Sequence, residues 1–105
     1  MKLLNKTEYM EVERTLRTIN QNETTTESRA NAVDEIVKFF KDSPYAEFLE
    51  IFYLNRHQYK HRFPTNRQLF RYISNKLYLQ ESTLYLMRKE IVYKSAMIFY
   101  KYNVL

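Results

Sequence analysis

No glycine occurs anywhere in the 105 residues of this chain, and that absence limits its possible folds and chemistries more than anything it contains. A P-loop, a dinucleotide-binding turn, a nucleophile elbow and an EF-hand loop each need backbone torsions or close approaches that glycine supplies at least cost. Tight β-hairpin turns draw on the same residue. Strict two-residue alternation of apolar and polar positions is also scarce, so the chain is predicted to be all-α, a small bundle of about five helices. Cysteine is absent as well. That removes disulfide frames, thiolate nucleophiles and Cys-ligated zinc, and leaves burial to hold the fold. A chain of this size buries roughly two thirds of the surface it exposes when unfolded, enough for one modest core.

The start, Met1-Lys2-Leu3-Leu4-Asn5-Lys6, turns polar after two apolar residues, too few for the core of a secretory signal. Nothing later approaches the roughly 18 apolar residues of a membrane span. A cytoplasmic protein without membrane contact is the expectation.

Charge is unevenly spread. Residues 1–52 hold seven Lys or Arg against ten Asp or Glu, a net −3, while residues 53–105 hold ten Lys or Arg against only Glu81 and Glu90, a net +8. A surplus of that size in half a small chain suits a polyanionic partner, because neutralising phosphates releases condensed counterions. An acidic protein surface or anionic lipid satisfies the same charge.

Apolar spacing places the helices. Leu3, Leu4, Met10, Val12, Leu16 and Ile19 form a loose stripe on a first amphipathic helix from Leu3 to about Asn20. The polar, β-branched run Asn20 to Thr26 breaks it, so residues 1–25 read as an N-terminal helix with linker and residues 26–105 as the main domain. Thr24 with Glu27 has capping-box spacing for a second helix, whose buried stripe is Ala32 or Val33, Ile36, Val37 and Phe40. Ser43-Pro44 stops and restarts the chain, with Ser as cap and Pro at the first helical position. Tyr45, Phe48, Leu49 and Phe52 then share one face of a third helix. Arg62-Phe63-Pro64 interrupts again. Thr65 with Gln68 repeats the capping box and opens a fourth helix with Leu69 or Phe70, Ile73 and Leu77 buried. Leu79 arrives out of period and marks a tight turn. From Glu81 the pattern resumes through Leu84, Met87, Ile91, Ser95, Ile98 and Tyr102, a final helix of roughly 20 residues. Val92, Ala96, Met97, Phe99 and Tyr100 broaden its apolar face, to be covered by helices two and three or by a second copy of the chain.

Residues 65–89 therefore read as a helix-turn-helix. Ile73 and Leu77 lock the first helix, Leu79 plugs the corner, and Leu84 anchors the second helix, freeing its leading side chains for a major groove. Gln80, Ser82, Thr83 and Tyr85 stand where base edges, sugars and phosphates would lie, with Arg88 and Lys89 one turn further on. Arg67, Arg71 and Lys76 would clamp phosphates at the flanks. Tyr78 takes the corner position that usually falls to glycine, and Gln80 is a poor helix cap beside Ser, Thr, Asp or Asn.

The run Ile73 to Ile91 resembles the sigma-factor region 4 type of helix-turn-helix, with Ser82-Thr83-Leu84-Tyr85 where such proteins often carry Ser-Thr-Val-Tyr. Over residues 28–100 the layout is similar to the ArpU/RinA group of phage late-transcription regulators: an acidic helix, a Pro break, an aromatic helix like Glu47 to Leu54, then the DNA-binding pair. The chain departs from that pattern at Tyr78 and in the aromatic stretch His57 to Phe63. The resemblance implies sequence-specific promoter binding on double-stranded DNA, contact with RNA polymerase and a homodimer.

Other constellations have plainer readings. His57 and His61 have metal-ligand spacing on a helix, but Gln58 stands where a metalloprotease needs Glu and no third ligand is evident, so no metal and no cofactor are expected. The pairs Glu8 with Glu11 and Glu47 with Glu50 read as solvated faces rather than an acid and a base. Aromatic rings interleaved with Arg56, Lys60 and Arg62, such as Tyr53 and Tyr59, would allow stacking on single-stranded nucleic acid, though helical spacing assigns most of them to the core. The expected function is a non-enzymatic, sequence-specific DNA-binding transcriptional regulator of phage or mobile-element type. The alternative is a helical adaptor docking on an acidic protein.

Overall fold

Side-chain caps and prolines set where the helices of this chain begin. The computed structural model describes residues 3–19 and 26–105. Asn5 opens α1 (Lys6–Thr18) with a reciprocal box: its side chain accepts from the Glu8 N–H at 2.8 Å, and Glu8 accepts from the Asn5 N–H at 3.1 Å. Thr26 caps α2 (Glu27–Phe40) by accepting from the Arg29 N–H. Glu27 is thus the first residue of α2 and not the third, so it cannot close a box; Thr24 and the linker positions 20–25 lie outside the described residues. Pro44 starts α3 (Pro44–Leu49) as expected, but Ser43 does not cap it. Its hydroxyl donates back to the Phe40 carbonyl at 2.6 Å and ties off α2 instead.

Beyond α3 the backbone widens into one π-helical turn, Glu50–Leu54, with the Asn55 N–H reaching the Glu50 carbonyl at 2.7 Å. That turn buries Ile51, Phe52, Tyr53 and Leu54 in succession, more than one side of an ordinary 3.6-residue turn can hide. A four-residue α4 (Arg56–Tyr59) follows, which accounts for a sixth helix where about five were expected. His61 lies past its end, so His57 and His61 do not share a helix face. Thr65 and Gln68 form the reciprocal box predicted for α5 (Asn66–Leu77). The last helix, α6, runs over Glu81–Lys101, and Gln80 makes no side-chain cap. No strand occurs among the described residues, and none of their helices is long and apolar enough to cross a membrane.

Among the described residues, three without glycine's freedom take the left-handed region at turns: Asp42 (φ 63°), Tyr78 (φ 56°) and Asn103 (φ 55°). Asp and Asn enter that region at moderate cost; a bulky aromatic residue does so rarely. At Tyr78 the geometry is held by a Schellman-type pair of bonds, Tyr78 N–H and Leu79 N–H both to the Ser74 carbonyl, while the Ser74 hydroxyl donates to the Leu79 carbonyl.

One core joins these elements. Val12, Leu16 and Ile19 of α1, Ala32, Ile36 and Phe40 of α2, Phe48, Leu49, Ile51 and Phe52, and Ile91, Val92, Ala96, Ile98 and Phe99 of α6 belong to the same buried cluster. α1, the helix of the N-terminal segment, is a layer of this core, packed on the π turn and α6. The broad apolar face of α6 is covered by α1, α2 and α3, leaving Met97 and Tyr100 exposed. Val37, predicted to be buried, is exposed too.

Candidate nucleic-acid interface

Residues 78–80 separate α5 from α6, so the leading end of α6 starts from a fixed corner. Leu69, Phe70 and Ile73 of α5 and Leu84 and Met87 of α6 are buried, which fixes the opposite faces toward solvent. Successive helical side chains turn by about 100°, so Arg67 and Arg71 share the outward face of α5, and Ser82, Tyr85, Leu86 and Lys89 share one face of α6. All six are exposed. Tyr85 leans edge-on against Phe70, ring centroids 4.8 Å apart, with 60 % of its surface open. Leu86, 65 % exposed, joins this face although the residue pattern alone does not single it out. Its exposure has one signal: it lies across the helix from the Leu84, Met87 and Ile91 stripe. A groove of about 430 Å³ runs between the two helices, walled by Asn66, Arg67, Phe70, Glu81, Tyr85 and Arg88.

Not every expected contact joins this face. Gln80 is exposed and Thr83 is half-buried. Lys76 sits on the α3 side of α5, 3.8 Å from the Glu47 carboxylate and over the Tyr72 ring. Arg88 departs furthest from expectation. Its guanidinium makes a bidentate pair with Glu13 of α1, Nε to Oε2 at 2.7 Å and Nη2 to Oε1 at 3.0 Å, and its side chain is 22 % exposed. It also lies 5.5 Å from the Phe52 ring centroid. The reason is Glu13, a buried carboxylate that also accepts from the Tyr53 hydroxyl at 2.7 Å. Burial alone would raise the Glu13 carboxyl, but hydrogen bonds from Arg88 and Tyr53, with the charges of Arg88 and Arg17, outweigh it and hold it below its ordinary value. The Glu13 hydrogen bond raises Arg88 in turn, so both stay charged. Burial, then the nearby Glu13 charge, pushes the Tyr53 hydroxyl well above its usual value. Arg88 is thereby a tie between α1, the π turn and α6.

The remaining candidates resolve simply. Tyr53 is fully buried and offers no stacking platform, while Tyr59 and Phe63 pack on Tyr72. Glu11 pairs with Arg14, and Glu50 accepts from the Asn55 amide. No group of three or more His, Asp or Glu placed to hold a metal occurs among the described residues. Comparison of the chain with family models, with curated proteins and with solved structures finds no match.

Proposed function

We propose that α5, the Tyr78 corner and α6 form a helix-turn-helix, and that the chain is a sequence-specific, double-stranded DNA-binding transcriptional regulator. The observation that carries this reading is the α6 face Ser82, Tyr85, Leu86 and Lys89, exposed beside Arg67 and Arg71. A hydroxyl, an amphipathic ring, an apolar branch and a cation at helical spacing suit base edges, thymine methyls and phosphates in a major groove. Arg67, Arg71 and Lys89 form no salt bridge among the described residues, so their charge is available to a phosphate backbone. Gln80 and Thr83 stand at the entrance of the same helix. Contact with RNA polymerase, pairing of two copies and kinship with the ArpU/RinA-type regulators belong to the same proposal.

Selection of bound duplexes from a random library, followed by titration of the selected site against salt, tests it. A recovered motif, with log affinity falling against log salt at a slope of about −3, is expected for three to four phosphate contacts. Absence of duplex binding at low salt overturns the proposal and favours the adaptor docking on an acidic protein.

A further inference from the structure

A second basic site lies away from the α6 face, where the end of α1 meets α4. Arg17, Thr18, Arg56, His57, Lys60, Phe63 and Pro64 wall a pocket of about 410 Å³, and no Asp or Glu is among the described residues lining it. Behind it the charge is out of balance. Among the described residues, Glu13 is the single carboxylate that acts on Arg56, and Arg88 occupies both of its oxygens. Arg56 is left short. Nη2 donates to the Asn66 side-chain oxygen, but Nη1 is closed off from solvent with no hydrogen-bond partner, and the guanidinium rests 4.8 Å from the Phe52 centroid. Burial, then repulsion from Arg17, lowers the Arg56 guanidinium below its ordinary value. Among the described residues no carboxylate hydrogen-bonds to this half-buried cation, and an anion in the pocket would offset its burial. The guanidinium is planar and moves as a unit, so swinging it toward the pocket exchanges the single Nη2–Asn66 bond for a fork in which Nη1 also gains an acceptor, and that fork matches phosphate oxygens.

We infer that this pocket is a phosphate-binding site, in which one phosphate group is held by Arg56 and Arg17 and flanked by His57 and Lys60. The source of the group is a phosphodiester of a bound nucleic acid or a free phosphate; the chemistry is shared. Only the first source rests on the DNA-binding reading above.

The test uses the full chain, with inorganic phosphate as the probe and chloride at matched ionic strength as the control. Thermal unfolding and amide NMR shifts are followed for the wild type, Arg17→Met and Lys60→Met. Lys60 is exposed, and Arg17, half-buried like Arg56, makes no salt bridge among the described residues that its loss would break, so the variants are expected to fold. Phosphate at millimolar concentration should raise the wild-type Tm and move the amides of residues 17, 18 and 56–60, and both effects should be lost or cut several-fold in the variants. A Tm rise that persists unchanged in both variants is the general action of phosphate on burial, and overturns the site, as does an equal response to chloride. Adding a random duplex separates the sources. If it moves the same amides and phosphate competes, the group is a backbone phosphodiester; if it leaves them unmoved while phosphate shifts them, the group is free phosphate. Failure of duplex binding alone leaves the phosphate response intact, so the two readings fail separately.

Discussion

Tyr78 occupies a backbone position that a chain with glycine would give to glycine. Its φ of 56° and ψ of 41° are left-handed, and its side chain is 94 % exposed, so no packing compensates for the strain. The left-handed region costs a side-chain-bearing residue about 1–2 kcal/mol, and glycine's larger unfolded-state entropy takes back about 0.5–1 kcal/mol. The difference is centred on about 0.75 kcal/mol, so Tyr78→Gly should raise Tm by about 3–6 °C while weakening duplex binding if the ring touches the sugar-phosphate edge. Calorimetry and a duplex titration of the same variant read the two effects; an unchanged or lower Tm refutes the strain argument. Glu13 gives the opposite kind of residue. Removing its charge leaves Arg88 half-buried and unpaired, so Glu13→Gln should cost about 2–3 kcal/mol at about pH 7, below the full penalty for a buried pair because Arg88 is partly exposed. The sign with pH follows from a carboxyl held below its ordinary 4.5 in the folded state. The stability it adds is complete above 4.5 and is lost as pH falls through the lowered folded value. Urea midpoints at about pH 7 and about pH 3 should thus differ more for the wild type than for Glu13→Gln, and equal differences would remove Glu13 from the account.

At the scale of elements, caps decide what holds α5 in place. Thr65→Ala removes the hydroxyl that accepts from the Gln68 N–H and should cost about 1 kcal/mol, with Thr65→Ser restoring most of it; urea denaturation measures both, and a neutral Thr65→Ala would show that packing alone fixes the start. This box was legible because Pro64 stops the preceding segment and leaves one start available. The start of α2 was not legible in the same way. Thr24, Thr25 and Thr26 offer the same hydroxyl in succession, and the spacing to Glu27 favoured a residue two positions too early. The α5–α6 corner was readable from the change of period at Leu79. The π turn was not, since its four consecutive buried residues arise from a wider backbone turn that no side-chain spacing announces. Its effect reaches the candidate interface. By aiming Tyr53 at Glu13 it completes the acceptor that holds Arg88, which is why Arg88, expected on the DNA-facing part of α6, is a structural tie.

Over the whole molecule, the division into an acidic first half and a basic second half becomes a layer of internal counterions. Glu13 pairs with Arg88, Glu35 with Lys101 at 2.9 Å, and Glu47 with Lys76 at 3.8 Å. Each pair joins residues from opposite halves, so part of the +8 is neutralised by folding and takes no part in long-range attraction. Among the described residues, Arg67, Arg71, Lys89 and the cations around α4 remain without a salt bridge, and two of them, Arg67 and Arg71, share the outward face of α5. Net charge alone predicts that any lost cation weakens polyanion binding equally; the folded arrangement predicts that position decides. Replacing Arg67 and Arg71 together by Ala should reduce the magnitude of the salt slope by nearly two, about 0.9 for each phosphate contact removed. Lys101→Ala changes the net charge at a site already neutralised by Glu35, and should leave the slope within error. Lys76→Ala, only loosely held by Glu47 on an exposed flank, should fall between them. Titrating one duplex at several salt concentrations orders the three variants. If Lys101→Ala flattens the slope by half as much as the joint loss of Arg67 and Arg71 does, attraction comes from the total charge of the chain, and no particular face of α5 or α6 directs it.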